Sequence, residues 1–369
     1  MFDRRLIQNF DWVLLILLIL IATASVINLY SATYHVRNIN STRIIHRQIY
    51  WFLIGLTVFF TMTTFNYYVL ERFAYPAYYA LVLLLILVLL IGSVKSGSRR
   101  WIEIGSLSFE PSELAKLSVV ILLAKFFSDQ HHTGQRKYRI RDLWQPAIMV
   151  AIPAFLILKQ PDLGTAVIVI LVSFSMMLFA GIYIKSLLIM AGSGLAAAPI
   201  IWFHLKPYQQ ARILTFLNPE ADIQGAGYHI HQSKIAIGSG LIWGKGFLKG
   251  TQTRLHFLPE QHTDFAFSVL AEEWGFAGSL TLLALYLALI LWGLKIASES
   301  KDPFGSFLAV GISALIFWQA VINIGMVTGL FPVVGIPLVL FSYGGSSIVS
   351  TMIAMGLLMN ISMRRFMFQ

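Results

Sequence analysis

The sequence predicts an all-α polytopic membrane protein with about ten transmembrane helices. Of its 369 residues, 57% are hydrophobic and only 12% are charged. The mean hydropathy is +0.74, a value no water-soluble domain of this length shows. Mainly apolar runs of about twenty residues, the length that crosses the hydrocarbon core of a bilayer, recur along the chain. None of them alternates with period two, and inside lipid only helices satisfy the backbone over runs of that kind.

The first run, 12–31, is too long for a cleavable signal and lacks a convincing small-residue cleavage site, so it reads as the first span. Further spans are expected at 49–66, 74–94, 111–128, 144–158, 163–183, 186–204, 265–294, 304–328 and 338–361. The fifth is short and the last two are the hardest to separate. Trp12, Trp51, Trp144, Trp202 and Trp292 stand near span ends, as an aromatic belt requires. No linker composition or repeat period interrupts the chain, so residues 1–369 read as one domain. Between the seventh and eighth spans lies a loop over about 205–264. Its apolar stretches Ile213–Leu217 and Ile230–Leu241, with turn-rich Asn218–Glu220 and Gly225–Tyr228 between them, predict a partly membrane-associated loop packed over the bundle.

Ten spans put both termini on one side, with Arg4, Arg5, Arg364 and Arg365. The loop 129–143, carrying Arg136, Lys137, Arg139 and Arg141, falls there too. The positive-inside rule, discounted for the long loop, then places both termini in the cytoplasm and the 205–264 loop outside. The net charge of +10 suits anionic head groups or a phosphorylated lipid. No helical basic stripe argues for nucleic acid. The chain has no cysteine, which excludes disulfides, thiolate catalysis and Cys-type zinc sites.

Five polar islands adjoin the spans: Lys95–Gly105, Phe109–Lys116, Lys159–Gly164, Tyr208–Asp264 and Phe331–Ser347. In the second, Pro111 fits a first helical position and Glu113 suits the positive helix end. That does not explain Lys116, a turn inside an apolar run. Glu113 and Lys116 share a helical face and can pair, and ionisable groups inside a span point to function. Gln160–Pro161–Asp162–Leu163–Gly164–Thr165 also fits a tight turn. In Phe331–Pro337 and Ser342–Ser347, two prolines and three glycines break the backbone at membrane depth, which is tolerated only where it is buried or lines a wet cavity.

Several familiar sites are absent. Gly244–Lys245–Gly246 resembles a phosphate loop, but Ser239 replaces its first glycine and Gly246 its Ser/Thr. His229 and His231 are two apart, His256 and His262 flank a proline, and no His-Glu-x-x-His occurs, so zinc is not expected. There is no Gly-x-Ser-x-Gly elbow. What is left for chemistry is carboxylates and cations near the outer face, Asp264 foremost, at the junction of the long loop and the eighth span.

Gln160–Thr165, Gly225–Ile230, Leu258–Phe265 and Ser342–Ser347 together resemble the SEDS family of cell-shape and division proteins. Gln232–Gly240 and Gly250–Thr253 are similar to its RodA branch rather than to FtsW. The resemblance covers nearly the whole chain in motif order. It implies a peptidoglycan glycosyltransferase that polymerises lipid II at the outer face of the bacterial inner membrane during elongation. The partners it implies are a class B penicillin-binding transpeptidase and the membrane proteins of the rod complex. One departure is Val339, where the family often has proline, which predicts a softer break before the last span.

The family's essential aspartate falls on Asp264, expected to act as base on the attacking sugar hydroxyl. From residue type alone Asp264 reads as a helix cap. Glu110, Glu113 and Asp162 are expected in the substrate cavity. Lys116, Arg212, Lys234 and Arg254 are candidates to face the leaving pyrophosphate, with Arg99 and Arg100 as weaker ones. Glu272 and Glu273, inside the eighth span, fit structural carboxylates and proton handling equally. No ligand cluster demands a metal and no cofactor is required, although a divalent cation such as Mg²⁺ could be shared between carboxylates and a pyrophosphate. The rival readings are a lipid II flippase, which needs polar residues through the whole membrane, and a non-catalytic scaffold, which has no use for Lys116 inside a span.

Overall fold

The computed structural model describes the chain except residues 1–8, 35–40, 96–97, 105–106, 134–136, 219–224, 256, 259 and 366–369. Arg4, Arg5, Arg136, Pro219, Glu220, His256, Pro259 and the side chain of Arg99 therefore lie outside the described residues. Helices dominate, in the order α1 Trp12–Tyr34, α2 Ser41–Thr64, α3 Tyr68–Ile91, α4 Pro111–His132, α5 Trp144–Lys159, α6 Leu163–Ala180 and α7 Ile184–His204. The long loop carries α8 Pro207–Leu217, α9 Ala226–Ser239 and α10 Thr251–Arg254, and the bundle closes with α11 Ala266–Glu299, α12 Pro303–Thr328 and α13 Gly345–Arg364.

Among the described residues, eight helices are long and apolar enough to cross a membrane by length and composition. With α4 and α7 these are the ten expected segments. The protein is a multi-pass membrane protein. Helix α4 is central: it packs on α3, α6 and α12 and buries Glu113 and Lys116. A helix shielded from lipid on most sides can carry charge that a lipid-facing one cannot. Helices α12 and α13 are the most enclosed of the eight, 72% and 83% buried, against 17% for α2 at the rim.

Ser362 Oγ donates to Asp11 Oδ2 at 2.9 Å, and Trp292 Nε1 donates to the same oxygen at 2.8 Å. The start of α1 and the end of α13 therefore meet at one end of the bundle.

The helical class is borne out with a small sheet added to it, and one span boundary needs correction. Residues 93–109 form a three-stranded antiparallel meander, β1 Ser93–Lys95, β2 Ser98–Ile104 and β3 Leu107–Phe109, with Ile102 opposite Phe109 and Glu103 opposite Ser108. It stands beyond the end of α3, and strand edges are not tolerated in contact with lipid. The last span begins at Gly345 rather than 338. Residues 329–344 are irregular, yet Leu338, Val339, Leu340 and Phe341 are buried.

That irregular backbone finds its partners in side chains of the surrounding helices. Ser25 Oγ donates to Phe341 O at 2.7 Å, Gln48 Nε2 to Ser342 O at 3.3 Å, Asn323 Nδ2 to Ile336 O at 2.7 Å, and the Tyr286 hydroxyl to Val339 O. The segment is thus a protein-enclosed break, the one setting in which non-helical backbone persists at membrane depth.

Candidate active site

At the end of the bundle opposite Asp11 opens a cavity of about 780 Å³. Its wall is assembled from four separate stretches: the meander and the start of α4 (Arg100, Trp101, Glu110, Glu113), the α5–α6 turn (Pro161, Asp162, Thr165), the long loop (Lys206, Arg212, Glu260, Thr263, Asp264), and the broken segment through the start of α13 (Val334, Gly335, Pro337, Tyr343–Ser347). Four sequence islands far apart in the chain converge on one volume.

The turn bearing Asp264 is tied on three sides. Gln261 Nε2 donates to Ala32 O of α1 at 2.7 Å, Tyr343 N donates to His262 O at 2.9 Å, and Asn323 Nδ2 of α12 donates to Asp264 O at 2.9 Å. The N-cap of α11 is Phe265, and no side chain caps it. The capping reading of Asp264 therefore fails: its carboxylate faces the cavity, with Oδ2 beside Gly335. Burial pushes this carboxyl up to about 6; Glu260 and Asp162 add to the rise, and Arg100 and Arg212 oppose it. A carboxylate held near the working pH is what general base catalysis asks for.

Opposite stands a cluster of three ionisable groups. The Arg100 guanidinium bridges two carboxyl groups, with Nε 3.4 Å from Glu110 Oε1 and Nη1 3.3 Å from Asp162 Oδ2. Asp162 is fixed by its second oxygen, which accepts from Thr165 N at 3.1 Å as the N-cap of α6. Glu110, just before Pro111, accepts from Ser112 Oγ at 3.0 Å, and its own N–H reaches Ser346 Oγ at 3.1 Å. Burial drives the Glu110 carboxyl up to about 8, with Asp162 and Glu113 adding to it against the pull of Arg100. The two carboxyls are therefore poised differently, with Glu110 pushed further toward its protonated form than Asp264.

The expected site residues divide. Glu110, Glu113, Asp162, Arg212 and Asp264 line the cavity. Lys116 does not; it lies beneath the floor, paired with Glu113 at 2.7 Å, while Ser350 Oγ takes Glu113 Oε2 at 3.1 Å. Lys234 and Arg254 are exposed on α9 and α10 and do not line the cavity, Lys234 lying instead beside Gly329. A cation's sequence distance from Asp264 carries no information about where a folded loop puts it.

Arg100, a weaker candidate in the sequence, is central to the site, and Lys206 and Asn323 are not among the sequence candidates. The signals were present: basic residues in a polar island, and one amide deep inside the ninth apolar run. Glu272 and Glu273 do not line the cavity and hold hydrogen bonds elsewhere. Glu272 accepts from Lys245 Nζ at 2.7 Å and Gln252 N at 3.0 Å, and Glu273 accepts from the Ser31 hydroxyl. Among the described residues, no three His, Asp or Glu side chains form a metal-ligand set.

A family model described as "Cell cycle protein", which takes in FtsW, RodA and SpoVE, matches residues 11–366. The peptidoglycan glycosyltransferase MrdB of Escherichia coli K12 is 40% identical over 330 residues, covering 87% of this chain and 86% of that protein. The peptidoglycan glycosyltransferase RodA of Treponema pallidum is 30% identical, covering 98% of this chain and 99% of that one. Among solved structures, the Thermus thermophilus rod shape determining protein RodA superposes with a TM-score of 0.72 at 31% identity, covering 97% of this chain and 98% of that one. A chain of a peptidoglycan synthase complex, studied for the coordination of polymerization and crosslinking, superposes with a TM-score of 0.83 at 33% identity over the same shares.

Proposed function

The chain belongs to the FtsW, RodA and SpoVE family, and from that premise we propose that it is a peptidoglycan glycosyltransferase of the RodA type with Asp264 as its base. It joins two lipid-linked disaccharides of the lipid II class at the outer face of the bacterial inner membrane, with both termini in the cytoplasm. The 4-hydroxyl of one N-acetylglucosamine forms a bond to the anomeric carbon of an N-acetylmuramic acid. The bond from that carbon to undecaprenyl pyrophosphate breaks, and the hydroxyl proton passes to Asp264.

The observation that carries this reading is the placement of Asp264. Its carboxylate is spared from capping, held through its main chain, and opens on a cavity that also holds Arg100, Lys206 and Arg212. A sugar hydroxyl is a poor nucleophile at neutral pH, and a positioned base contributes about 10²–10⁴-fold. The three cations face the charge that develops on the departing pyrophosphate. Glu110, in its protonated form, can donate a hydrogen bond to the same group. Lys116 acts from below by neutralising Glu113, so that the cavity floor does not repel a phosphate. The chain works beside a class B penicillin-binding transpeptidase in the rod complex, a role supported by its similarity to a member of a synthase complex. A scaffold would leave this arrangement of charges without a use.

The test is polymerisation of purified lipid II by Asp264→Asn, which keeps the side chain's shape and removes its basicity. A drop of about 10²–10⁴-fold is expected. Near-normal polymerisation by a correctly inserted variant would remove the base assignment.

A further inference from the structure

Helix α11 is broken at Gly275, whose φ is +64° and ψ −158°. In an unbroken α-helix the N–H groups of Phe276 and Ala277 would take the carbonyls of Glu272 and Glu273. Here all four groups are claimed by residues 241–246. Phe276 N donates to Leu241 O at 2.8 Å and Ala277 N to Ile242 O at 3.0 Å, while Lys245 N donates to Glu272 O and Gly246 N to Glu273 O, both at 3.0 Å. The loop is thus laced into the helix's own ladder as a strap.

The approach is so close that a Cβ at Gly244, where φ is +78°, would stand 2.0 Å from Glu273 O. One at Gly275 would stand 2.3 Å from Gly244 N. Leu241 is held at φ +49°, a conformation leucine rarely adopts. A second tie runs through side chains, Lys245 Nζ to Glu272 Oε1 at 2.7 Å.

The strap turns its apolar side chains outward: Leu241 is 78%, Ile242 61% and Trp243 81% exposed. Its level relative to the membrane follows from α11. Phe276, Leu280, Leu283, Leu287, Leu291 and Leu294 are exposed along one stripe of that helix. From first to last they span about 27 Å at 1.5 Å per residue, close to the ~30 Å hydrocarbon thickness. Phe276 therefore marks the hydrocarbon boundary on the Asp264 side, and Leu241 and Ile242 are bonded to Phe276 and Ala277. The exposed tip is continuous with the lipid-facing stripe.

We propose that Leu241–Trp243 is a membrane-inserted wedge, its aliphatic side chains among the acyl chains and Trp243 at the head-group boundary. Tryptophan favours that boundary, and Lys249, exposed six residues further on, meets the lipid phosphates. The occupant of this surface is lipid. Through the strap, bilayer contact fixes the loop segment that leads from Lys245 to Asp264.

The chain has no cysteine, so Ile242→Cys or Trp243→Cys carries a single nitroxide label in the full-length protein. In nanodiscs of phosphatidylethanolamine and phosphatidylglycerol, with no partner present, each label should collide more with oxygen than with a water-soluble nickel complex. Labels at Leu283→Cys and, in the exposed α11–α12 turn, Lys301→Cys supply the acyl-chain and aqueous references. In unlabelled protein, brominated lipids should quench the wild type more than Trp243→Phe, which serves even if a cysteine variant fails to insert. Collision dominated by the nickel complex, or no difference in quenching, overturns the proposal. So does a label that is water-exposed in the isolated chain and shielded only when a membrane-anchored transpeptidase is added.

Discussion

The side-chain amide of Asn323 donates to two carbonyls at once, that of Asp264 at 2.9 Å and that of Ile336 at 2.7 Å. One buried residue of α12 thereby ties the turn bearing the proposed base to the broken segment that forms the facing wall of the cavity. Neither partner lies in regular structure, so neither is held by a helical ladder.

Asn323→Ala removes both bonds and leaves two enclosed carbonyls unsatisfied, a loss of about 1–3 kcal/mol for each such group. The larger effect should be on turnover, because displacement of a catalytic group by about 1 Å costs about 100-fold. Asn323→Asp, which points a carboxylate at two carbonyl oxygens, should be worse than alanine. Lipid II polymerisation rates measured over substrate concentration should show kcat falling while KM stays near its original value. A variant with unchanged kcat would remove the positioning role.

The two raised carboxyls give the pH dependence its shape. Asp264 must be ionised to accept a proton, and it titrates at about 6, so activity should rise through that pH. Glu110 must stay protonated to donate, and it titrates at about 8, so activity should fall through that pH. The profile of kcat/KM is then a bell with a maximum near neutrality. Glu110→Gln, which keeps a donor and cannot ionise, should abolish the alkaline limb and leave the acid limb in place. An alkaline limb that survives in this variant assigns that limb to another group.

The spans were legible because each is a long apolar run, and length alone separates such runs from soluble helices. The misplaced start of the last span has a physical origin. Leu338–Phe341 reads as membrane helix because it is apolar, but it is apolar because it is enclosed by protein, and its backbone is satisfied by Tyr286, Ser25 and its own turn. Hydropathy reports shielding from water and is silent on what does the shielding. The meander at 93–109 was hidden because its island is short and polar. Asp264, Glu110 and Asp162 could be picked out because carboxylates are few here and adjoin spans. Which cations join them could not, since Arg100 reaches the cavity from a strand while Lys234 and Arg254, nearer Asp264 in sequence, do not.

Lys116 and Glu113 form an enclosed ion pair with side chains 3% and 6% exposed. Removing one partner strands the other charge, and Lys116→Met should cost about 3–5 kcal/mol of stability. The double variant Glu113→Gln with Lys116→Met should recover much of that loss, since exchanging a whole buried pair for neutral groups is often close to neutral. Thermal unfolding of the detergent-solubilised protein separates the cases. A double variant no more stable than Lys116→Met would show that the lysine acts alone.

Arg100 lowers the titration of both Glu110 and Asp264 against the burial that raises them. Arg100→Gln removes that positive charge while keeping some hydrogen bonding, so both carboxyls should titrate higher. The acid limb of the activity profile should then move upward from about 6, and the variant should lose more activity at pH 6.5 than at pH 8, roughly as the ionised fraction of Asp264 dictates. Arg100→Lys keeps the charge but cannot span the Glu110 and Asp162 carboxyl groups as a planar fork does. It should therefore hold the limb near its original position while lowering the plateau. An acid limb that stays put in Arg100→Gln, or moves to lower pH, would mean that Asp264 does not sense Arg100 and that the limb reports a different residue.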